Sequence, residues 1–533
     1  MRSGDRRAGR RGALPGQCRP EGAEGNAALC FHLRCANQGR NDGVARHVGD
    51  FGDFARGWAR GPCVRPLLYR PMPVPHYDLA VIGSGPAGQK GAIAAAKMRK
   101  RVAVVDRRDM VGGCSLHLGT IPSKTMREAI LYLSGMRQRT FYGADYWAKE
   151  DISARDLSQR VDIVLQREIE VVRAQLKRNG VTTINGMARF TDAHTIEIEG
   201  SEGNSSTITA DTVLIACGTR PAENPLIVTD GQRVFNSDQL LHLPLIPRDL
   251  IVVGGGVIGL EYAAMMTGLG TRVTLIDARP TLLDFADHEI IESLCHHLRE
   301  EGVTFRLGEQ VASVSVEGGE RVIAHLESGK TVRGDALLYA VGRQANSDLL
   351  RLGAAGIAAD ERGRIKVNEY FQTVVPHIYA AGDVIGFPAL AATSMEQGRL
   401  AIVHSLGFPM KTSPHLLPFG IYTIPEISMV GPTERDLTTA KVRYEVGISR
   451  FGELARAQMI GDERGMLKLL FDPDTLKLLG VHVMGESATE IIHIGQAVLA
   501  MGGTIDYFRD TVFNYPTLAE AYKVAALNGM NKV

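Results

Sequence analysis

The pattern of apolar and polar positions falls into two copies of one unit. The run Asp78-Leu79-Ala80-Val81-Ile82 is followed by Gly83-Ser84-Gly85-Pro86-Ala87-Gly88, by small residues through Lys97, and by a second apolar run, Val102 to Asp106, that ends in an acid. This reads as strand, glycine-rich turn, helix and strand. The unit returns as Leu250 to Val253, then Gly254-Gly255-Gly256-Val257-Ile258-Gly259, a helix from Leu260, and a strand Val273 to Asp277. In each unit the acid stands 23 residues after the first glycine, Asp106 after Gly83 and Asp277 after Gly254. A single glycine-rich turn can be a plain tight turn, but two units of equal spacing are dinucleotide fingerprints. In each unit the first glycine (Gly83, Gly254) permits the turn, and the second (Gly85, Gly256) lets a pyrophosphate approach the backbone. The third (Gly88, Gly259) lets helix and strand pack, and the acid (Asp106, Asp277) accepts a ribose hydroxyl at a site where the helix N-terminus faces the phosphates. Two such units imply two dinucleotides held at once, which in an oxidoreductase are FAD and a nicotinamide nucleotide.

Between the units the periodicity predicts a long amphipathic helix, roughly Leu157 to Arg178, alternating β segments near Val181 to Ile198, and a strand within Thr212 to Thr219. Beyond the second unit it predicts a strand Ala336 to Arg343, the segment Ile378 to Val384, and a helix near Thr393 to Leu400. From about Pro414 there follow strands and an amphipathic helix, Ala488 to Met501. The stretch Gly112 to Lys124 follows the strand end at Asp106 and leads into an apolar-periodic helix (Ala129, Ile130, Leu133). It is expected to run along a bound dinucleotide as a strand-to-helix loop.

Length and charge narrow the classes. At 533 residues the chain is too long for one core. Net charge is +1, from 60 basic and 59 acidic residues, which gives no electrostatic case for nucleic acid or an anionic membrane. No uncharged apolar run reaches the roughly 18 residues of a membrane helix, the best candidate, Ile251 to Leu269, being interrupted by Glu261. The seven cysteines form neither a disulfide scaffold nor a metal pattern, and they fit a reducing cytoplasm. Residues 1–71 stand apart, with 13 arginines, no lysine and no sustained hydrophobic period. They match neither a secretory signal nor a transit peptide, so the functional protein is expected to start near Met72. Intact-mass spectrometry of the native protein would reject this expectation if residues 1–71 were present.

The segment Gly112-Gly113-Cys114-Ser115-Leu116-His117-Leu118-Gly119-Thr120-Ile121-Pro122-Ser123-Lys124 resembles the active-site loop of the pyridine nucleotide-disulfide oxidoreductases. In that family a paired glycine, two cysteines five apart and a Gly-x-x-Pro-Ser-Lys ending hold a redox disulfide against the flavin. Here Ser115 and Thr120 stand at the cysteine positions, and neither can supply a thiolate. The resemblance extends from residue 76 to 533. It implies an α/β fold with two Rossmann-like domains, for FAD (76–224 and 346–412) and NAD(P) (225–345), and a C-terminal α+β dimerisation domain (413–533), as in glutathione reductase. It makes Gly113 a flavin contact, makes Gly382 and Asp383 part of the second FAD motif, and places Gly342 at the nucleotide-binding strand end. It also places Lys124 beside flavin N5 and Glu261 near the nicotinamide ring, able to form an ion pair; solvated helix-end charges are the alternative. The family's C-terminal His-Pro dyad becomes Tyr515-Pro516, with Glu520 retained. Cys114 and Cys217 are expected to be packed and redox-silent, and His117 to be a loop hydrogen-bonding group. Asp277 favours NAD(H), while Arg279 could be the cation that admits a 2′-phosphate. The implied activity is ping-pong hydride transfer from NADPH to NAD+ by a cytoplasmic homodimer, with quinone or dye reduction and a non-catalytic FAD-binding sensor as alternatives.

Overall fold

Alternate residues of the first strand, β1 (His76–Ile82), enter two different cores. Leu79 and Val81 pack with Ala92 and Ala95 of helix α1 (Pro86–Lys97), whereas Ala80 and Ile82 face Phe190, Ile196 and Ile198. A strand covered on both sides must be apolar throughout, which explains the unbroken runs. The computed structural model describes residues 73–107, 110–143, 145–200, 203–410 and 416–533, so the expectation for residues 1–71 lies outside them.

After β2 (Val102–Asp106) the chain forms helices α2 (Gly113–His117) and α3 (Thr120–Ser134). The stretch expected to be a loop is therefore mostly helical, and Lys124 is the fifth residue of α3. Gly112, at φ +106°, makes the turn into α2, and Gly119 separates the two helices. Helix α4 (Ala154–Arg178) starts with a reciprocal Ser153–Asp156 capping box and precedes β3 (Thr182–Asn185), β4 (Met187–Phe190), β5 (Thr195–Glu199) and β6 (Ser205–Ile215). The parallel part of this sheet runs β3-β2-β1-β6 and is extended past β6 by Ile378–Ala380, while β5 pairs antiparallel with the first half of β6 and β4 pairs antiparallel with β5 at the edge.

The second unit repeats the scheme after β7 (Thr219–Pro221). Strands β8 (Val234–Asn236), β9 (Asp249–Val253), β10 (Arg272–Asp277) and β11 (Thr304–Leu307) join β15 (Ala336–Tyr339) in a parallel sheet ordered β11-β10-β9-β15-β8. Helices α5 (Val257–Gly268) and α6 (His288–Glu300) cover one face, and the antiparallel sheet β12 (Val311–Glu317), β13 (Arg321–Leu326) and β14 (Thr331–Gly334) covers the other. The strand expected over Ala336 to Arg343 ends at Tyr339. The chain turns through Gly342, at φ +81°, and resumes as β16 (Arg343–Ala345), which pairs with β7.

β17 (Ile378–Ala380) returns to the first sheet, followed by α7 (Ala391–Ser405), which starts two residues before the expected helix. α7 crosses α1 at backbone contact: a Cβ on Gly398 would strike the carbonyl of Ala87, and one on Gly91 would lie 3.1 Å from Gly398 O. The remaining chain makes an antiparallel sheet, β18 (Phe419–Ile421), β19 (Ile427–Val430), β20 (Glu445–Arg450), β21 (Met466–Phe471) and β22 (Leu478–Met484), with helices α8 (Ala488–Ala500) and α9 (Glu520–Met530). One core runs from Ile130 of α3 through Leu260 and Met265 of α5 to Ile421, Ile427 and Met484 of this sheet. No described helix is long and apolar enough to cross a membrane.

Candidate functional site

A cavity of about 560 Å³ opens past the carboxyl ends of β1, β2 and β6, where open parallel sheets bind ligands. Gly83 (φ +102°) turns the chain where a side chain would meet the Ala216 carbonyl, and Gly88 brings α1 down onto the Gly83 carbonyl. Gly85, by contrast, has nothing within 4 Å of where its Cβ would lie, and it lines the cavity. α1 begins beside it with no side-chain cap, so its first N–H groups are available to an anion. Asp106 also lines the cavity and accepts bonds from Ser84 N at 2.7 Å and from Ser84 Oγ. Burial raises its carboxyl above the ordinary range against those bonds.

Gly113, Ser115, Thr120 and Lys124 face the same cavity, as does Glu261 from α5. Lys124 Nζ donates to Glu261 Oε2 at 2.7 Å, and the other carboxylate oxygen accepts from Tyr422 N at 2.9 Å. The Glu261 side chain is 6% exposed, so this carboxylate depends on its two partners. Further along, Gly382 and Asp383 line the wall, with Gly382 N bonded to Gln397 Oε1 at 2.9 Å and Asp383 Oδ2 accepting from Thr219 Oγ1 at 3.2 Å. α7, also uncapped by a side chain, points its start at the cavity through Ala391, Ala392 and Ser394. Two uncapped helix ends and an open glycine suit a diphosphate-bearing flavin nucleotide.

Arg343 enters beyond Gly342, which is exposed and does not line the cavity. Its guanidinium donates to Thr219 Oγ1 (2.7 Å), Thr219 O (2.9 Å) and Cys114 Sγ (3.3 Å), and it lies 3.9 Å from Asp238. Burial raises the Cys114 thiol despite that cation and pushes Cys217 up to about 12. His117 Nε2 lies 3.1 Å from Val111 O.

The second fingerprint repeats the backbone geometry. Gly254 (φ +104°) turns, a Cβ on Gly256 would meet open space, and Gly259 packs on the Gly254 carbonyl. Asp277 accepts from Gly255 N (2.6 Å) and closes a two-pronged ion pair with Arg279 (2.9 and 2.8 Å). Burial works against the Asp277 charge, but the guanidinium and backbone N–H groups outweigh it and hold the carboxyl below the ordinary range. Arg279 stays half-exposed.

Residues 77–398 match the model of the pyridine nucleotide-disulphide oxidoreductases, and residues 417–526 match that family's dimerisation domain. The chain belongs to this family. Over 458 residues, 86% of this chain and 98% of the other, it is 53% identical to the soluble pyridine nucleotide transhydrogenase of Mycobacterium tuberculosis. Over 461 residues, with the same coverage, it is 44% identical to the protein of that name in Colwellia psychrerythraea. Among solved structures, LpdA of Mycobacterium tuberculosis superposes with a TM-score of 0.79 at 28% identity, covering 85% of this chain and 99% of LpdA. The fold is therefore that of the glutathione reductase-like flavoproteins, as the resemblance implied. Family membership brings FAD as cofactor and NAD and NADP as substrates. It also makes the protein a homo-oligomeric oxidoreductase.

Arg343, Thr219, Asp238 and Tyr422 all line the cavity and none was singled out from the sequence. Arg343 alone had a local signal, its place directly after the glycine that closes the second nucleotide unit.

Proposed function

We propose that the chain transfers a hydride from NADPH to NAD+ through FAD, in a ping-pong cycle without a redox disulfide, as a cytoplasmic dimer. The observation that carries this reading is the pairing of Lys124 with Glu261 in a cavity wall where Ser115 and Thr120 occupy the positions of the family's two cysteines. The names of the relatives support it. When bound, FAD supplies the two-electron carrier between the nucleotides.

Around it, Lys124 places a positive charge that favours the electron-rich side of the transfer, and Glu261 keeps that charge in place. Asp277 accepts a 2′-hydroxyl, and Arg279 swings from it to a 2′-phosphate, so one site serves both substrates. At Tyr515, exposed and directly before Pro516, the histidine of the family's C-terminal dyad is missing. Hydride exchange without a dithiol requires no such group.

Anaerobic stopped-flow absorbance at the flavin band tests the cycle. Bleaching by NADPH followed by rapid recovery on NAD+ is the expected result. Bleaching relieved only by a quinone would replace the proposal with quinone reduction, and absence of bleaching would leave a nucleotide-binding protein.

A further inference from the structure

The Lys124–Glu261 pair sits where three parts of the chain meet. α3 supplies the lysine, α5 the glutamate, and the loop between β18 and β19 supplies Tyr422. That loop is clamped to α3 by a second cation one helical turn on. Arg127 is 2% exposed; its Nε donates to Thr423 O at 3.1 Å and its Nη1 lies 3.2 Å from Glu426 Oε1. Glu426 in turn accepts from Thr489 Oγ1 at 2.8 Å, and Thr423 Oγ1 donates to Pro425 O at 2.6 Å inside the loop. Residues three apart on a helix share a face. The same face of α3 therefore presents Lys124 to Glu261 and Arg127 to the loop that holds Glu261 from the other side.

The geometry points to Tyr422 as a positioning residue of the hydride-transfer site, held in register by Arg127. Its N–H takes Glu261 Oε1 and leaves Oε2 for Lys124, so the carboxylate is fixed in plane. Its ring lies 4.9 Å from Lys124 Nζ, where the π face attracts the ammonium and keeps water from one side of it. The antiparallel sheet thus reaches the flavin cleft of its own chain, and Tyr422 lines that cleft. Tyr422 acts through Lys124 and Glu261 and exchanges no proton or hydride itself.

This rests on the hydride-transfer reading and is tested on the FAD-loaded full chain with Tyr422→Leu, Tyr422→Phe and Arg127→Lys. Both substitutions at position 422 keep the backbone N–H; only the leucine removes the ring. Tyr422→Leu is expected to bind FAD fully and to hold KM for NADPH within twofold. Flavin reduction slows about tenfold, and the two-electron midpoint potential falls by about 30 mV, the equivalent of a tenfold loss of preference for the reduced form. Tyr422→Phe stays within twofold on every measure, and Arg127→Lys falls between. Wild-type rate and potential in flavin-loaded Tyr422→Leu would overturn the assignment, as would an equal loss in Tyr422→Phe. Should Tyr422→Leu fail to fold, an unchanged potential in Arg127→Lys overturns it instead. A wild-type protein that NADPH does not bleach would overturn the underlying reading and this one together.

Discussion

Lys124→Met removes the cation 2.7 Å from Glu261 while keeping the length of the side chain. Flavin reduction by NADPH is expected to slow at least tenfold, about 1.4 kcal/mol of barrier, with FAD content unchanged. An unaltered stopped-flow rate would reduce the pair to charged helix surface. Arg279→Ala should raise KM for NADPH about tenfold and leave that for NADH within twofold, since only the phosphorylated ribose calls on the guanidinium. The cysteines offer a third check. With burial pushing Cys217 up to about 12 and raising Cys114, iodoacetamide at pH 8 should alkylate neither in the native protein, while both react once it is denatured. Mass spectrometry of tryptic peptides decides this. The glycines, the terminal acids, Lys124 and Glu261 were legible because each stands at a short fixed offset from a glycine-rich turn or a Pro-Ser step. Tyr422 was not, because its partner Glu261 lies 161 residues away and leaves no local pattern.

Among elements, α6 is tied to the C-terminal sheet by a fully buried lysine. Lys468 Nζ lies 3.0 Å from Asp287 and 3.1 Å from Glu289, and it also contacts Glu434. Burial opposes its charge, yet the carboxylates outweigh burial and hold its pKa above the ordinary value. Lys468→Met strands Asp287, the cap of α6, and should cost about 3–5 kcal/mol, read as a drop in Tm. The far end of α6 carries a pH dependence. Burial, and next Arg464, push His297 down to about 4, so the unfolded chain binds its proton more readily. Stability from this residue is full above about pH 6.5 and is lost as pH falls toward 4, on the order of 1 kcal/mol by pH 5 for a partly exposed group. Urea midpoints at pH 7 and 5 should differ by less in His297→Gln. Helices and strands with a clear period were readable from the sequence, but Gly112 to Lys124 was not, because a glycine-rich stretch reads as loop whether or not its neighbours wind it into short helices.

For the whole molecule, the two nucleotide units were the most legible feature, since equal 23-residue spacing is a property of the chain itself. The strands of the C-terminal region were readable from the pattern and their role as a dimerisation domain only by resemblance, while their contact with the flavin cleft could not be read at all, because it depends on where α3 docks. Sedimentation should return a species of two chains, and dilution into the nanomolar range should not release flavin-loaded monomers if the C-terminal sheets form a large apolar seam.

The crossing of α1 and α7 has a consequence for shuffling genes of this family. Where Gly398 meets the Ala87 carbonyl there is no side chain to repack, so the fit is set by two backbones encoded on either side of the entire second unit. A chimera that borrows α1 from one parent and α7 from another joins main chains never matched to each other, whereas one that takes both helices and exchanges only the stretch between them keeps the seam intact. Crossover sites for directed recombination should therefore be placed in pairs.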